Sequence, residues 1–366
     1  MEQMIPGFLE EMLKKQYGEE VFAKILAGYQ ARRPVTLRVN PLKADRNSVE
    51  QALTGAGIAF KDVSWYEDAM IIEGAREPEI QELPIYKEGG IYLQSLSSML
   101  PPLFLAPKAG ESVLDMAAAP GGKTTQMAAM TGNQAQITAC EKNKARSEKL
   151  KYNLEKQGAF GTYVMVEDAR KLDDFFSFDR ILLDAPCSGS GTVEVRDGVC
   201  RTKISKELVE RSARTQEELL KKALKLLKSG HEMIYSTCSI LKEENEGLLK
   251  RVLKSAGGEL VPIGEEWTKE LPLLPNAMPG TLLVGPDELF GDFLWRRSEK
   301  NRSSARNFYF FAKNALSFYS ALRFSTSIRF SSGMIVISIV RMQAVPPMTL
   351  ETGSARNTPS VPICMT

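Results

Sequence analysis

Residues 112–125 read Ser-Val-Leu-Asp-Met-Ala-Ala-Ala-Pro-Gly-Gly-Lys-Thr-Thr. A short apolar run ends at Asp115, the small residues Ala117, Ala118, Ala119, Pro120 and Gly121 follow, and a helical pattern begins at Gly122. Small side chains let the backbone approach a ligand closely, and the free N–H groups of a helix start favour negative charge. From Glu111 onward the strand-loop-helix rhythm repeats, which predicts a parallel sheet with helical crossovers. Strands are expected at 112–116, 136–140, 162–166, 180–184 and 232–237, and helices at 122–130, 144–157, 206–227 and 242–256. Each strand is short and apolar, as when both faces of a sheet are covered. The ligand of such a sheet lies at the carboxyl ends of its strands. Those ends carry Asp115, Glu141, Asp168, Asp184 and Cys238.

Upstream the pattern differs. Residues 5–30 read as one or two helices, 35–40 as an alternating strand, 48–56 as a helix capped by Ser48, and 70–73 as another strand. This small α+β unit is expected to span 1–75. A Glu- and Pro-rich linker and connecting helix take up 76–110, with the helix starting at Ser95 and stopped by Pro101-Pro102. The catalytic domain is then 111–291.

Several chemistries compete for the turn after Asp115. A phosphate-binding loop needs G-x-x-x-x-G-K-[ST]; Gly122-Lys123-Thr124 fits, but Ala117 stands where the first Gly belongs. A dinucleotide turn, G-x-G-x-x-G, is absent. The third reading is the nucleoside-binding turn of a methyltransferase, with Glu141 on the ribose hydroxyls. A turn that is Gly-rich only for packing is the bland alternative. Two cysteines add chemistry: Cys187 in Asp-Ala-Pro-Cys-Ser-Gly after the fourth strand, and Cys238 in Tyr-Ser-Thr-Cys-Ser at the end of the fifth. One such Cys is usually a small core residue; two at one ligand face suggest nucleophilic chemistry.

Together, residues 115–125, 184–189 and 235–239 resemble the Sun family of RNA cytosine 5-methyltransferases. The likeness extends over about 33–290, including Arg-Val-Asn-Pro-Leu-Lys at 38–43. It implies a Rossmann-like, S-adenosylmethionine-dependent methyltransferase domain behind a small α+β N-terminal domain of RNA-recognition-motif type. It also implies that Ala117, Ala118, Ala119, Pro120, Gly121, Gly122, Lys123, Glu141, Asp168 and Asp184 bind the cofactor. By the same likeness Cys238 is the nucleophile and Cys187 serves product release; the chemistry, which needs a group at the base edge, gives that place to Asp184 with Lys123 assisting. The implied substrate is a cytosine in RNA, ribosomal or transfer. A Pro-Cys thiol is the nucleophile of DNA cytosine methyltransferases, so Pro186-Cys187 is the rival for that role. Alternative readings of the chain are a catalytically impaired cofactor- or RNA-binding relic and a P-loop nucleotidase. Arg32, Arg33, Arg38, Lys43, Arg196 and Arg201 are candidate phosphate contacts, whereas Lys221, Lys222, Lys225 and Lys228 read as a solvated helix face.

The chain has 366 residues, 43% hydrophobic and 25% charged, which suits two globular domains and excludes a disordered, collagen-like or polytopic membrane chain. Five Cys without C-x-x-C spacing and one His, His231, give neither a disulfide scaffold nor a metal site; five unpaired thiols, a cytoplasmic location and a monomer are expected. The net charge of +2 is misleading, because residues 301–366 hold seven of the 47 basic side chains but one of the 45 acids. Nucleic-acid binding must therefore rest on local sites. Composition breaks at about Gly291. One codon choice for 292–300, shifted by a base, encodes Gly-Phe-Phe-Val-Ala-Lys-Ile-Arg-Lys, a strand-like string. Residues 292–366 are accordingly expected to be an out-of-frame, poorly ordered tail.

Overall fold

In a computed structural model of the chain, the described residues are 4–256, 258–275, 278–285 and 338–344. Helix α1 (Gly7–Gln30) is broken once, at Gly18, whose φ of 79° only glycine adopts without strain. Strand β1 (Val35–Val39), helix α2 (Arg46–Gly55), strands β2 (Ala59–Asp62) and β3 (Ala69–Glu73), helices α3 (Glu77–Glu82) and α4 (Pro84–Lys87) and strand β4 (Ile91–Leu93) follow. The four strands pair antiparallel in the order β2-β3-β1-β4. That is the arrangement of a split β-α-β, or ferredoxin-like, unit. The small sheet thus takes in 91–93, which the sequence reading had assigned to the linker. Its helix α2 starts earlier than expected: Asp45, not Ser48, is the N-cap, and its carboxylate accepts from the Ser48 N–H.

Helix α5 (Leu96–Leu105) does not stop at Pro101-Pro102 but carries both inside. Prolines there lack the N–H groups that would bond the carbonyls one turn back. The Gln94 side chain supplies one replacement, donating to the Ser98 carbonyl at 3.1 Å.

The large sheet follows: β5 (Ser112–Asp115), α6 (Gly122–Met130), β6 (Gln136–Cys140), α7 (Lys144–Gln157), β7 (Thr162–Met165) and β8 (Phe178–Asp184). A two-stranded hairpin, β9 (Val195–Arg196) and β10 (Val199–Cys200), precedes α8 (Lys206–Leu226), β11 (Leu227–Thr237), α9 (Glu246–Ala256), β12 (Gly258–Val261), β13 (Thr281–Leu283) and β14 (Ser338–Ala344). The strand order is β12-β14-β11-β8-β5-β6-β7, with β13 also on β14. The strands from β7 to β11 run parallel, and β14 is antiparallel to β11. The chain moves outward from β5 to β7 and then returns to the other side at β8, so the switch point lies between β5 and β8. One apolar layer, with Met99, Phe104, Met127 and Leu150, covers one face; another, with Leu220, Ala223, Leu248 and Val252, covers the other.

Most of the expected out-of-frame tail lies outside the described residues. Within it, Ser338–Ala344 forms a strand of the central sheet, paired with β11 from Glu232↔Gln343 to Thr237↔Ser338. Met342 is fully buried, and Arg341 bonds Glu265 and donates to the Phe104 carbonyl at 3.0 Å. His231 belongs to β11, with Nδ1 3.7 Å from Asp179. Met342→Ala is expected to lower stability by about 2–5 kcal/mol, the usual cost of emptying a buried Met site. Urea unfolding followed by circular dichroism measures it; an unchanged midpoint would mean that β14 adds nothing to the folded sheet.

Candidate active site

Asp115 ends β5 and is almost fully buried. Its carboxylate accepts from the Thr124 hydroxyl at 2.7 Å and from the Ala117 N–H at 3.4 Å, so one acid ties both ends of the small-residue turn. Burial pushes its pKa up from 3.8 to about 6, and the Thr124 hydrogen bond and the Lys123 charge only partly oppose this. The Ala118 N–H donates to the Cys140 carbonyl at 2.9 Å, and Arg146 and Asn153 donate to the carbonyls of Ala119 and Pro120. The Ala119–Pro120 peptide is cis. Gly121 sits at φ 111°, where a side chain would also meet Leu150 at 3.0 Å, so the turn requires Gly there.

Glu141 follows β6, 4% exposed; its carboxylate accepts from the Asn143 N–H at 2.7 Å and pairs with Arg146 at 3.3 Å. Asp168 is gripped by Arg170, whose Nε and terminal amine donate to its two oxygens at 3.0 and 2.6 Å. Those hydrogen bonds hold its pKa down at about 2. Asp184 ends β8. Lys123 Nζ lies 2.7 Å from one oxygen, the Ser236 hydroxyl donates to the other at 2.7 Å, and Lys123 also donates to Ser98 Oγ at 3.0 Å. A cleft of about 330 Å³ runs from Asp115, Ala117–Pro120, Gly122, Lys123 and Asp184 to Tyr92 and Tyr86 of the small domain. Glu141, Asp168 and the two loop cysteines are not among its lining residues.

Cys187 and Cys238 are disulfide-bonded, with Cα atoms 6.3 Å apart. This corrects the expectation of five unpaired thiols: neighbouring parallel strands bring the two loops together. Cys140 and Cys200 are the free cysteines among the described residues, and burial raises the Cys140 thiol to about 12, in keeping with a core role. The loops are laced to each other. The Gly191 N–H donates to the Cys238 carbonyl at 3.0 Å, and the Ser190 and Ser239 hydroxyls are 2.8 Å apart. Helix α1 backs both loops: Tyr29 OH donates to the Ser190 carbonyl, and Gln16 and Tyr17 donate to the Ile240 carbonyl.

The candidate phosphate contacts fare unevenly. Arg38 is fully buried and donates to Gln94 Oε1 at 3.0 Å and Thr125 Oγ1 at 3.1 Å, so it fastens the small domain to α6 and cannot reach RNA. Arg196 pairs with Glu194, and Arg33 donates to the Gly28 carbonyl at 2.9 Å. Arg32, Lys43 and Arg201 are exposed. Lys221, Lys222 and Lys225 of α8 pair with acids, Lys221 and Lys225 exposed and Lys222 half-buried, whereas Lys228, expected on the same helix face, lies on β11 and pairs with Asp179. Sequence reading passed over Ser188, Gln216, Glu244 and Asn245, all buried beside the cysteine loops. The run Glu243-Glu244-Asn245-Glu246 was a visible signal, but it reads as a charged helix start. Among the described residues there is no group of three or more His, Cys, Asp or Glu side chains placed to hold a metal, and no helix is long and apolar enough to cross a membrane.

An open sheet with this switch point and acids at its carboxyl ends is that of the Rossmann-like methyltransferases. A family model described as 16S rRNA methyltransferase RsmB/F matches residues 102–271, and the ferredoxin-like domain of RsmF/B-like methyltransferases matches 5–78. The chain belongs to the Sun family of RNA cytosine 5-methyltransferases, to which RsmB and RsmF belong. It is 35% identical over 313 residues to the human 28S rRNA (cytosine(4447)-C(5))-methyltransferase, covering 83% of this chain and 36% of that one. It is 35% identical over 226 residues to ribosomal RNA small subunit methyltransferase F of Shewanella sp. strain MR-7, covering 61% of this chain and 47% of the relative. The chain thus spans about a third to a half of the length of these curated relatives. A methyltransferase homolog from Pyrococcus horikoshii superposes with a TM-score of 0.67 at 25% identity, covering 93% of this chain and all of that one. NSun6 of the same organism, solved with SFG, superposes with a TM-score of 0.70 at 23% identity over 93% of this chain and 98% of that one, which shows the shared fold.

The raised pKa of Asp115 makes stability depend on pH. The folded state holds this proton more tightly than the unfolded chain, so the associated stability is full below about pH 4 and is lost as pH rises through about 6. A shift from 3.8 to about 6 corresponds to roughly 3 kcal/mol. Asp115→Asn is expected to remove this loss. Urea melts of both proteins at pH 4 and pH 7.5 check it: the wild type should fall relative to the variant at the higher pH, and parallel curves would contradict the assignment.

Proposed function

We propose that this protein transfers the methyl group of S-adenosylmethionine to carbon 5 of a cytosine in RNA, ribosomal RNA being the class that its relatives' names favour. The observation that carries the reading is the meeting of Cys187 and Cys238 beside the Lys123–Asp184 pair at the switch point of a methyltransferase sheet. The residues present fit the cofactor. The turn 117–122 has no side chain larger than proline, and Glu141, just after β6, and Asp168, in the loop after β7, lie beyond the carboxyl ends of neighbouring strands, where ribose hydroxyl and amino groups need acceptors. When bound, the cofactor supplies an electrophilic methyl on a sulfonium.

The chain's own residues do the rest. Carbon 5 of cytosine is a weak nucleophile. The Cys238 thiolate adds to carbon 6, forming an S–C6 bond and moving electron density to carbon 5, while Asp184, with Lys123 beside it, handles the proton at the N3 edge. After carbon 5 has taken the methyl, Cys187 accepts the proton lost from carbon 5, the S–C6 bond breaks, and the Cys238 thiolate leaves. The target base must leave any stack to reach this site. Neither sulfur of a disulfide is a thiolate, so turnover starts from the dithiol form.

Cys238→Ala is expected to leave less than about 1% of wild-type methyl transfer, a barrier increase of about 2.7 kcal/mol, with cofactor affinity retained. Cys187→Ala is expected to trap a covalent protein–RNA complex, seen as a retarded band on a denaturing gel. A band in the Cys238 variant instead would exchange the two roles. Transfer by the wild type should rise at least tenfold when the oxidised protein is treated with dithiothreitol; equal activity of both forms would show that the disulfide lies off the reaction path. Isothermal titration of Glu141→Ala with S-adenosylmethionine should give weaker binding, and unchanged affinity would refute a ribose contact.

A further inference from the structure

Glu244 and Asn245 are adjacent, polar and almost fully buried. Burying such groups is costly unless their hydrogen bonds are made, so the partners show what the pair holds. The Glu244 carboxylate accepts from the Ser188 N–H at 2.8 Å, from the Ser188 hydroxyl, and from Gln216 Nε2 at 3.0 Å. Gln216 Nε2 also donates to the Pro186 carbonyl at 2.9 Å. Both residues flanking Cys187 are thereby fixed, one directly and one through Gln216. Asn245 does the same for the other loop. Its Oδ1 accepts from the Thr237 hydroxyl at 2.7 Å, and its Nδ2 donates to the carbonyls of Ser239 and Leu241, each at 2.9 Å. Both residues flanking Cys238 are held by this one amide. The Tyr235 hydroxyl anchors the pair by donating to the Glu244 carbonyl at 2.8 Å.

We propose that Glu244 and Asn245 are positioning residues that hold the two cysteine sulfurs at a common point, Glu244 acting on Cys187 and Asn245 on Cys238. Because the two are consecutive, a single peptide unit joins the hydrogen bonds that hold one cysteine loop to those that hold the other. On the functional reading above, the division assigns Asn245 to the attack on carbon 6 and Glu244 to release.

The first measurement needs no RNA. Wild type, Glu244→Ala and Asn245→Ala are equilibrated in mixtures of reduced and oxidised glutathione, where two protein thiols and one glutathione disulfide give the protein disulfide and two glutathione thiols. Mass spectrometry after alkylation reads the Cys187–Cys238 pair. Each variant should form it at least tenfold less favourably than wild type; an equilibrium within twofold overturns the proposal even if the protein proves to methylate nothing. The second measurement is single-turnover methyl transfer to RNA with denaturing gels. Glu244→Ala should accumulate the covalent complex at least fivefold over wild type, and Asn245→Ala should form it at least tenfold more slowly. Glu244→Gln, which keeps an oxygen for the Ser188 N–H, should recover much of the wild-type partition. Equal loss of attack and release in both variants would reduce the pair to general structural support. Should either alanine variant fail to bind S-adenosylmethionine, Ser188→Ala and Thr237→Val, which remove the hydroxyls that Glu244 and Asn245 accept from, replace it with the same expected directions, and an unchanged partition in these overturns the division of roles. A wild type that forms the disulfide normally but transfers no methyl would sink the functional reading and leave the positioning result standing.

Discussion

The register between β8 and β11 is the constraint on which the site rests. These strands are parallel neighbours, and Ser236 lies opposite Asp184. Their following loops therefore emerge from the same edge of the sheet, side by side. Cys187 comes three residues after Asp184 and Cys238 two residues after Ser236, so both sulfurs arrive at one place without long loops to aim them. A slip of one residue would turn every side chain of a strand to the opposite face. It would bury Asp184 or expose Leu183, and the Ser236–Asp184 hydrogen bond would be lost along with the meeting of the cysteines.

The charged groups at the strand ends differ in how free they are. Asp168 is clamped by Arg170 and Glu141 by Arg146 and the Asn143 amide, so both are oriented before any ligand arrives. Asp115 faces inward and organises the turn rather than its contents. Asp184, about a third exposed and held between Lys123 and Ser236, is the more open of the two strand-end acids that line the cleft. The fully buried Arg38 links the small sheet to α6, whose first turn carries Lys123. Through it the two domains share one polar network, and the cleft between them has a fixed floor.

Much of this was legible in the chain because periodicity reports burial. The helices 122–130 and 144–157 and the strand 136–140 begin and end where apolar spacing and turn residues said they would. The acids at strand ends followed from those boundaries. What the sequence hid depends on partners far along the chain. Pro101 and Pro102 read as a stop, because the Gln94 side chain that serves the Ser98 carbonyl is a tertiary detail. Arg38 read as an RNA contact, because a buried arginine and an exposed one are the same letter. Glu244 and Asn245 looked like the polar start of a helix for the same reason. The strand at 338–344 was missed because β14 follows a long interval of altered composition, and its place between β11 and β12 is fixed by pairing rather than by any local signal.

Helix α1 touches the cysteine loops through residues separated from them by more than 160 positions: Tyr29 to Ser190, and Gln16 and Tyr17 to Ile240. Such contacts carry a large loop-closure entropy and form late. During synthesis the helix leaves the ribosome before these loops and must wait, its apolar face of Leu9, Leu13 and Ile25 uncovered, until they have been made. The backing of the two cysteine loops is therefore completed only once both loops and the helix that supports them have been made.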